Sequence, residues 1–195
     1  MYAYLNGPFT FKSPALIHID INGIGFEVNI SLHTYASIQD KSSGKIYTWL
    51  QVKEDGNVLF GFADPAEKEI FLQLISVSGV GAATARMMLS YIRPEEVVKA
   101  IQQGNVKLLE SVKGIGKKTA ERLVLELKDK VAKWSTGSAG QELTVVNTQQ
   151  HDAVQALTAL GIAKNMAEQA IQKVIKQEPH INQLEDLIKK ALKAI

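Results

Sequence analysis

Apolar and polar residues alternate along the first third of the chain, in Leu16–Ile21 (LIHIDI), Gly25–Ile30 (GFEVNI) and Ile46–Val52 (IYTWLQV). A period of two sends successive side chains to opposite faces, so these segments predict half-buried β-strands. Turn signals fall between them at Gly7-Pro8, Asn22-Gly23, Ser42-Ser43-Gly44 and Asp55-Gly56-Asn57. Five or six short strands in about 63 residues suit a small closed barrel, and an OB-like fold is one economical choice.

From Asp64 the period becomes helical. Asp64 is placed to cap a helix with Pro65 in its first turn, and Ile70, Leu74 and Val77 follow as one apolar stripe. Pro94 opens another helix, Gly104 ends it, and Asn105 has the chemistry of the next cap. A longer helix over roughly 117–133 carries Ala120, Leu123, Leu127 and Val131 on one face. Residues 135–149, low in charge and rich in small polar side chains, read as a flexible linker. Helices over about 150–159, 164–176 and 182–194, interrupted by Gly161 and Pro179, then form a small bundle. The expected organisation is α+β and multidomain. A barrel spans 1–63, a helical domain 64–134, a linker 135–149 and a three-helix domain 150–195.

An internal repeat carries the strongest chemical signal. Residues 76–85 (SVSGVGAATA) match residues 111–120 (SVKGIGKKTA) at six of ten positions, at an offset of 35. Each copy reads as helix, Gly-hydrophobic-Gly hairpin, helix. The glycines permit backbone angles closed to other residues and a close approach to a ligand. Val80 or Ile115, between them, can turn inward and pin the helices together. The next helix starts at the hairpin, so its unpaired N–H groups and positive dipole end form an anion site. Lys117 and Lys118 oppose that dipole at a cost of roughly 0.3–1 kcal/mol each, a cost that reverses in sign if an anion binds. Lys118 and Arg122, four residues apart, share one helix face. In a basic region the anion is expected to be a phosphate, read through the backbone without base specificity. A single Gly-x-Gly between helices is more often a plain turn; two copies at fixed spacing, one with paired lysines, favour the phosphate reading. The expected nucleic-acid contacts are Gly79, Gly81, Ala82 and Thr84 in the first copy, with Gly114, Gly116, Lys117, Lys118, Thr119 and Arg122 in the second.

Charge supports that placement. Residues 1–64 hold four Lys+Arg against six Asp+Glu, residues 65–134 hold 12 against 8, and residues 135–195 hold six of each. The net charge of +2 is thus concentrated in the middle third. The chain has no cysteine, which excludes disulfides and thiolate-bound metals. No apolar run reaches membrane-spanning length and no leader pattern is visible, so a cytoplasmic protein is expected. Gly116-Lys117-Lys118-Thr119 superficially echoes a nucleotide-binding P-loop. Position 111 is serine where glycine is needed, position 118 is lysine where Ser or Thr must reach the metal, and no strand precedes it.

In this order the segments closely resemble the RuvA family over essentially the whole chain. The resemblance is carried by Gly23–Val28 (GIGFEV), Val52–Phe62 (VKEDGNVLFGF), Gly114–Leu123 (GIGKKTAERL) and Ala156–Gly161 (ALTALG). It implies an OB-fold first domain, a double helix–hairpin–helix domain and a small UBA-like third domain. It further implies a homotetramer, or an octamer, that binds four-way Holliday junctions and recruits the hexameric motor RuvB. The junction-resolving nuclease RuvC is a further partner that it admits. Glu54 and Asp55, two turn acids that would otherwise read as solvated, become by resemblance an acidic pin at the tetramer centre, where carboxylates repel phosphates. The third domain becomes the motor-binding domain, with Leu157, Leu160 and Ile162 as candidates, although helical spacing makes them first of all core residues. One departure stands out. The family commonly carries Pro-Lys after the first Gly-Val-Gly, and here Ala82-Ala83 stand instead, so the first hairpin is expected to bind phosphate more weakly than the second.

Three other functions fit the sequence less well. A glycosylase or nuclease would need a catalytic Asp or Lys in a pocket, or a metal-binding carboxylate cluster. Asp129 reads as a solvated helix residue and His18, His33, His151 and His180 are scattered, so no catalytic residue, metal or cofactor is expected. A protein-binding scaffold leaves Lys117 and Lys118 unexplained. An RNA-binding barrel lacks an aromatic stacking stripe.

Overall fold

The computed structural model describes residues 2–54, 56–138, 145–178, 181 and 183–194. These fall into two compact units, residues 1–138 and 139–195.

The first unit opens with a closed barrel of β1 (Tyr4–Ser13), β2 (Leu16–Ile21), β3 (Ile24–Ile30), β4 (Ser43–Lys53) and β5 (Gly56–Phe62). Its strand order is β1-β2-β3-β5-β4, with β4 returning to β1. All pairs are antiparallel except β3 with β5. This is the OB-like barrel expected from the alternation. Ile17, Ile19, Val28, Ile30, Ile46 and Leu59 fill its interior. Asn22 and Gly23 turn β2 into β3 with φ of 53° and 86°, the two positive angles that an Asn-Gly hairpin turn requires.

Two features of the barrel differ from the sequence reading. Gly7-Pro8 is not a turn: both residues lie inside β1 and pair with Gly44 and Ser43 of β4. Glycine stands there because a Cβ would come 2.1 Å from the Asp20 carbonyl oxygen. A short helix, α1 (Leu32–Ile38), also intervenes between β3 and β4, capped by the Ser31 hydroxyl accepting from the Thr34 amide.

Strand β5 serves two cores. Leu59 points into the barrel, while Phe60 and Phe62 belong to the core of the helices that follow. Phe71 of α2 (Pro65–Ile75) is completely buried against them, with ring centroids 4.8 Å from Phe62, 5.5 Å from Phe60 and 5.4 Å from Trp49. Burying one such side chain is worth about 1.5–3 kcal/mol. Tilted and edge contacts add roughly 0.5–1.5 kcal/mol per pair. Barrel and helices therefore share one continuous apolar seam.

Four more helices complete this unit: α3 (Ala82–Tyr91), α4 (Pro94–Gln103), α5 (Val106–Glu110) and α6 (Lys117–Ser138). Asp64 and Asn105 cap α2 and α5 as expected, each side chain accepting an amide three residues on, and Gly104 ends α4 at φ 68°. The two repeats superpose bond for bond. Val80 N–H donates to Val77 and Ile115 N–H to Val112, then Ala85 N–H donates to Gly81 and Ala120 N–H to Gly116. Val80 and Ile115 are buried, Gly79 has φ 93° and Gly114 has φ 95°.

The second unit packs α7 (Val145–Ala159), α8 (Lys164–Gln177) and α9 (Leu184–Ala194) around Ala153, Leu157, Ala167, Ile171, Val174 and Leu187. Gly161, at φ 90°, terminates α7. The stretch read as a linker over 135–149 is helical to Ser138 and again from Val145, while residues 139–144 lie outside the described residues. No helix of the described residues is long and apolar enough to cross a membrane.

At the foot of the seam, Glu67 is fully buried and accepts from the Ser31 hydroxyl, from Thr34 Oγ1 at 2.5 Å and from the Ala63 amide at 3.3 Å. Burial pushes its carboxyl above the usual carboxylate range, against the opposing pull of those donors and of His33. Between the ordinary and the raised value the folded protein holds a proton that the unfolded chain releases, so stability rises as pH falls through that window. Urea midpoints of wild type and Glu67→Gln, taken from neutral pH down to about 4.5, should show this rise in wild type and a flatter profile in the variant. At the hairpins, Gly79→Ala and Gly114→Ala force a side chain into positive φ and should each lose roughly 1–3 kcal/mol. Gly81→Ala and Gly116→Ala, whose added Cβ meets nothing within 4 Å, should change the midpoint little.

Candidate nucleic-acid interface

The candidate residues gather at the start of two helices in the first unit. Gly81 precedes α3 in extended geometry (φ −84°, ψ 168°), and no side chain caps that end. The first helical bond of α3 is Ala85 to Gly81, and that of α6 is Ala120 to Gly116. The amides of Ala82, Ala83 and Thr84, and of Lys117, Lys118 and Thr119, therefore have no partner within their own helices. Gly79, Gly81, Gly114 and Gly116 are exposed, so a ligand can approach the backbone at both hairpins. Such an end carries partial positive charge and aimed donors, which suits an oxyanion.

The side chains divide into two groups. Lys117 and Lys118 are exposed at the mouth of the second hairpin, with Lys113 beside them. None of the three makes an ion pair among the described residues. In the first hairpin the same positions are Ser78, Ala82 and Ala83, and Ala82 is buried. The cationic surface is therefore lopsided although the backbones match.

The other group holds the hairpins together. Thr119 lies where a Cβ on Gly79 would be 3.7 Å from its Oγ1, and Thr84 lies 3.9 Å from the corresponding point on Gly114. Each threonine, half-buried, thus packs on the positive-φ glycine of the other repeat. Arg122, expected to share a charged face with Lys118, donates from Nη1 to the Ser78 carbonyl at 3.3 Å and approaches Glu126 at 3.8 Å. It bridges the second helix to the first hairpin. Sequence reasoning assigned Thr84, Thr119 and Arg122 to the ligand; the repeat shows that both copies keep the threonine, but only the folded chain shows that the copies face each other.

Arg86 was missed. Its Nη1 donates to the Ala15 carbonyl at 3.0 Å and to Asn29 Oδ1 at 2.8 Å, and burial pushes its pKa down. It fastens α3 to the barrel, while Ser90, whose hydroxyl accepts the Leu32 amide at 3.1 Å, fastens α3 to α1, and together they fix the first hairpin.

Glu54 is exposed at the β4–β5 turn, where Lys53 pairs with Gly56; Asp55 lies outside the described residues. In the second unit Leu157 is completely buried and Ile162 half-buried against the same core, whereas Leu160 is 64% exposed. Of these three, Leu160 alone is mostly exposed.

The fold also brings together His33, Asp64 and Glu67, a trio that no sequence spacing revealed. Hydrogen bonds already engage both carboxylates. Asp64 caps α2 through the Glu67 amide at 2.8 Å, Glu67 is held by three donors, and His33 Nε2 lies 4.0 Å from Asp64. The cluster reads as the joint between α1 and α2.

Comparison with known proteins agrees with this architecture. Residues 1–61 match the family description RuvA N terminal domain, residues 71–129 match SAM-like Helix-hairpin-helix tandem, and residues 148–195 match RuvA, C-terminal domain. Similar proteins include the Holliday junction branch migration complex subunit RuvA of Christiangramia forsetii, 46% identical over the full length of both chains. The proteins of the same name from Bacteroides fragilis and Cytophaga hutchinsonii are 46% and 44% identical, covering 100% and 99% of each chain. With relatives this similar across its whole length, the chain belongs to the RuvA family.

Proposed function

We propose that this protein binds four-way DNA junctions through their backbone phosphates and acts, without catalysis of its own, as the DNA-binding subunit of a branch-migration complex. One observation carries the reading. Two helix N-termini whose first amides have no partner within their own helices are held in matched geometry, and the second bears Lys117 and Lys118, exposed and in no ion pair among the described residues. Phosphate satisfies both the amides and the lysines, while a fold without a ligand is penalised for them. The names of the full-length relatives support the junction as the substrate.

Gly79, Gly81, Ala82 and Thr84 with Gly114, Gly116, Lys117, Lys118 and Thr119 form the phosphate grip, Arg122 bracing it. The active species is a homotetramer, or a pair of tetramers, whose symmetry matches the four arms. Glu54 and Asp55 sit near the crossover, where their charge repels strands that are not opened into a junction. The three-helix unit, through Leu160 with Leu157 and Ile162 supporting it, recruits the RuvB ring, whose ATP hydrolysis supplies the work. The resolving nuclease RuvC then acts on the same open junction. The setting is the bacterial cytoplasm, in homologous recombination and DNA repair.

Titrating the purified chain against a synthetic four-way junction and a linear duplex of equal length, across a salt series, tests the reading. A marked junction preference is expected, with a log–log salt slope near −0.9 per phosphate neutralised. Equal binding would remove the junction from the proposal, and no binding to either would remove the phosphate grip. In the same titration Gly116→Glu should weaken junction binding roughly 10- to 100-fold, the scale of losing charge-assisted bonds. Gly81→Glu should lose less; a larger loss there would reverse the ranking of the hairpins.

A further inference from the structure

A cavity of about 370 Å³ separates the first hairpin from the barrel. Gly81 and Ala83 line it from the start of α3, Gln51 and Lys53 from the end of β4, and Arg86 and Asn29 also border it. Its volume falls at the lower end of clefts that hold small ligands, roughly 300–1,000 Å³.

The polar groups around this cavity are not equivalent. Arg86 and Asn29 are bonded to each other, and Arg86 also to Ala15, so that guanidinium is committed to the fold. Lys53 is exposed and makes no ion pair among the described residues. It shares the cavity with the uncapped end of α3, where the helix itself has only Ala82 and Ala83. At the second hairpin the corresponding positions are Lys117 and Lys118. A cation on the helix opposes the dipole there, whereas one on a neighbouring strand reaches the same anion from outside the helix. The lining also includes Val58 and Phe60, apolar surface on which a sugar ring can rest.

We propose that this cavity is a subsite for the DNA backbone, in which Lys53 of the barrel neutralises the phosphate held by the first hairpin. The charge that the second hairpin carries on its own helix reaches the first from β4. Arg86 is the positioning residue that keeps α3 and the barrel at the distance the subsite needs. This rests on the DNA-binding reading above.

The test uses the full chain and the same junction titration, with folding checked by an unchanged thermal transition. Lys53→Gln should reduce the magnitude of the salt slope by about 0.9, so that its deficit against wild type narrows about 3.5-fold between 50 and 200 mM salt. Lys53→Arg should keep the wild-type slope, and adding Ala83→Lys to Lys53→Gln should restore it. Lys45→Gln, the same charge change at the other end of β4, should leave the slope alone. An unchanged slope in Lys53→Gln, or an equal reduction in Lys45→Gln, overturns the subsite while the wild-type slope leaves the DNA reading standing. Wild type that binds neither DNA overturns both.

Discussion

Taking a carboxylate out of water is tolerated only where its oxygens find donors, and Glu67 meets that condition at one place in the fold. Ser31 and Thr34 come from the start of α1, and Ala63 from the chain leaving β5. The three donors exist together only when barrel, α1 and α2 are all in place. Directly beyond, Phe71 closes on Phe60, Phe62 and Trp49. The polar contact sets direction and the aromatic one supplies area, so α2 leaves the barrel along a fixed line. Everything that follows in this unit, including both hairpins, inherits that line.

From α2 onward, position passes from element to element. Arg86 holds α3 against the barrel and Ser90 holds it against α1, and Arg122 carries the arrangement across to α6. Three of these four hydrogen bonds engage a backbone carbonyl or amide, and the fourth the Asn29 side chain. A carbonyl acceptor tolerates many side chains at its own residue, which leaves the exposed positions of the hairpins open to changes in charge.

Much of this was legible in the sequence because it is local. The alternation at Leu16–Ile21 and Gly25–Ile30, the caps Asp64 and Asn105 and the Gly-x-Gly repeats each act within a few residues, and each is found where expected. The short helix at Leu32–Ile38 escaped because seven residues carry too little period to see, and the feature that secures it, Ser31, also serves a distant glutamate. Gly7-Pro8 misled for a related reason: the glycine answers to Asp20 on the neighbouring strand rather than to its own turn. Within the site, the glycines and lysines could be picked out individually. Arg86, and the exposure of Leu160 beside the buried Leu157, depend on what lies opposite, which no spacing along the chain encodes.

The crossed packing of each threonine on the other repeat's glycine has a consequence for how such a chain can change over time. Bulk added at position 84 presses on Gly114, and bulk at 119 presses on Gly79. The two halves of the repeated motif are therefore sterically coupled across the interface, whereas their exposed positions can gain or lose charge one at a time. In this chain the two copies differ in charge, Ser78, Ala82 and Ala83 against Lys113, Lys117 and Lys118, and keep the threonines, as expected where a steric change in one copy requires a simultaneous answer from its twin.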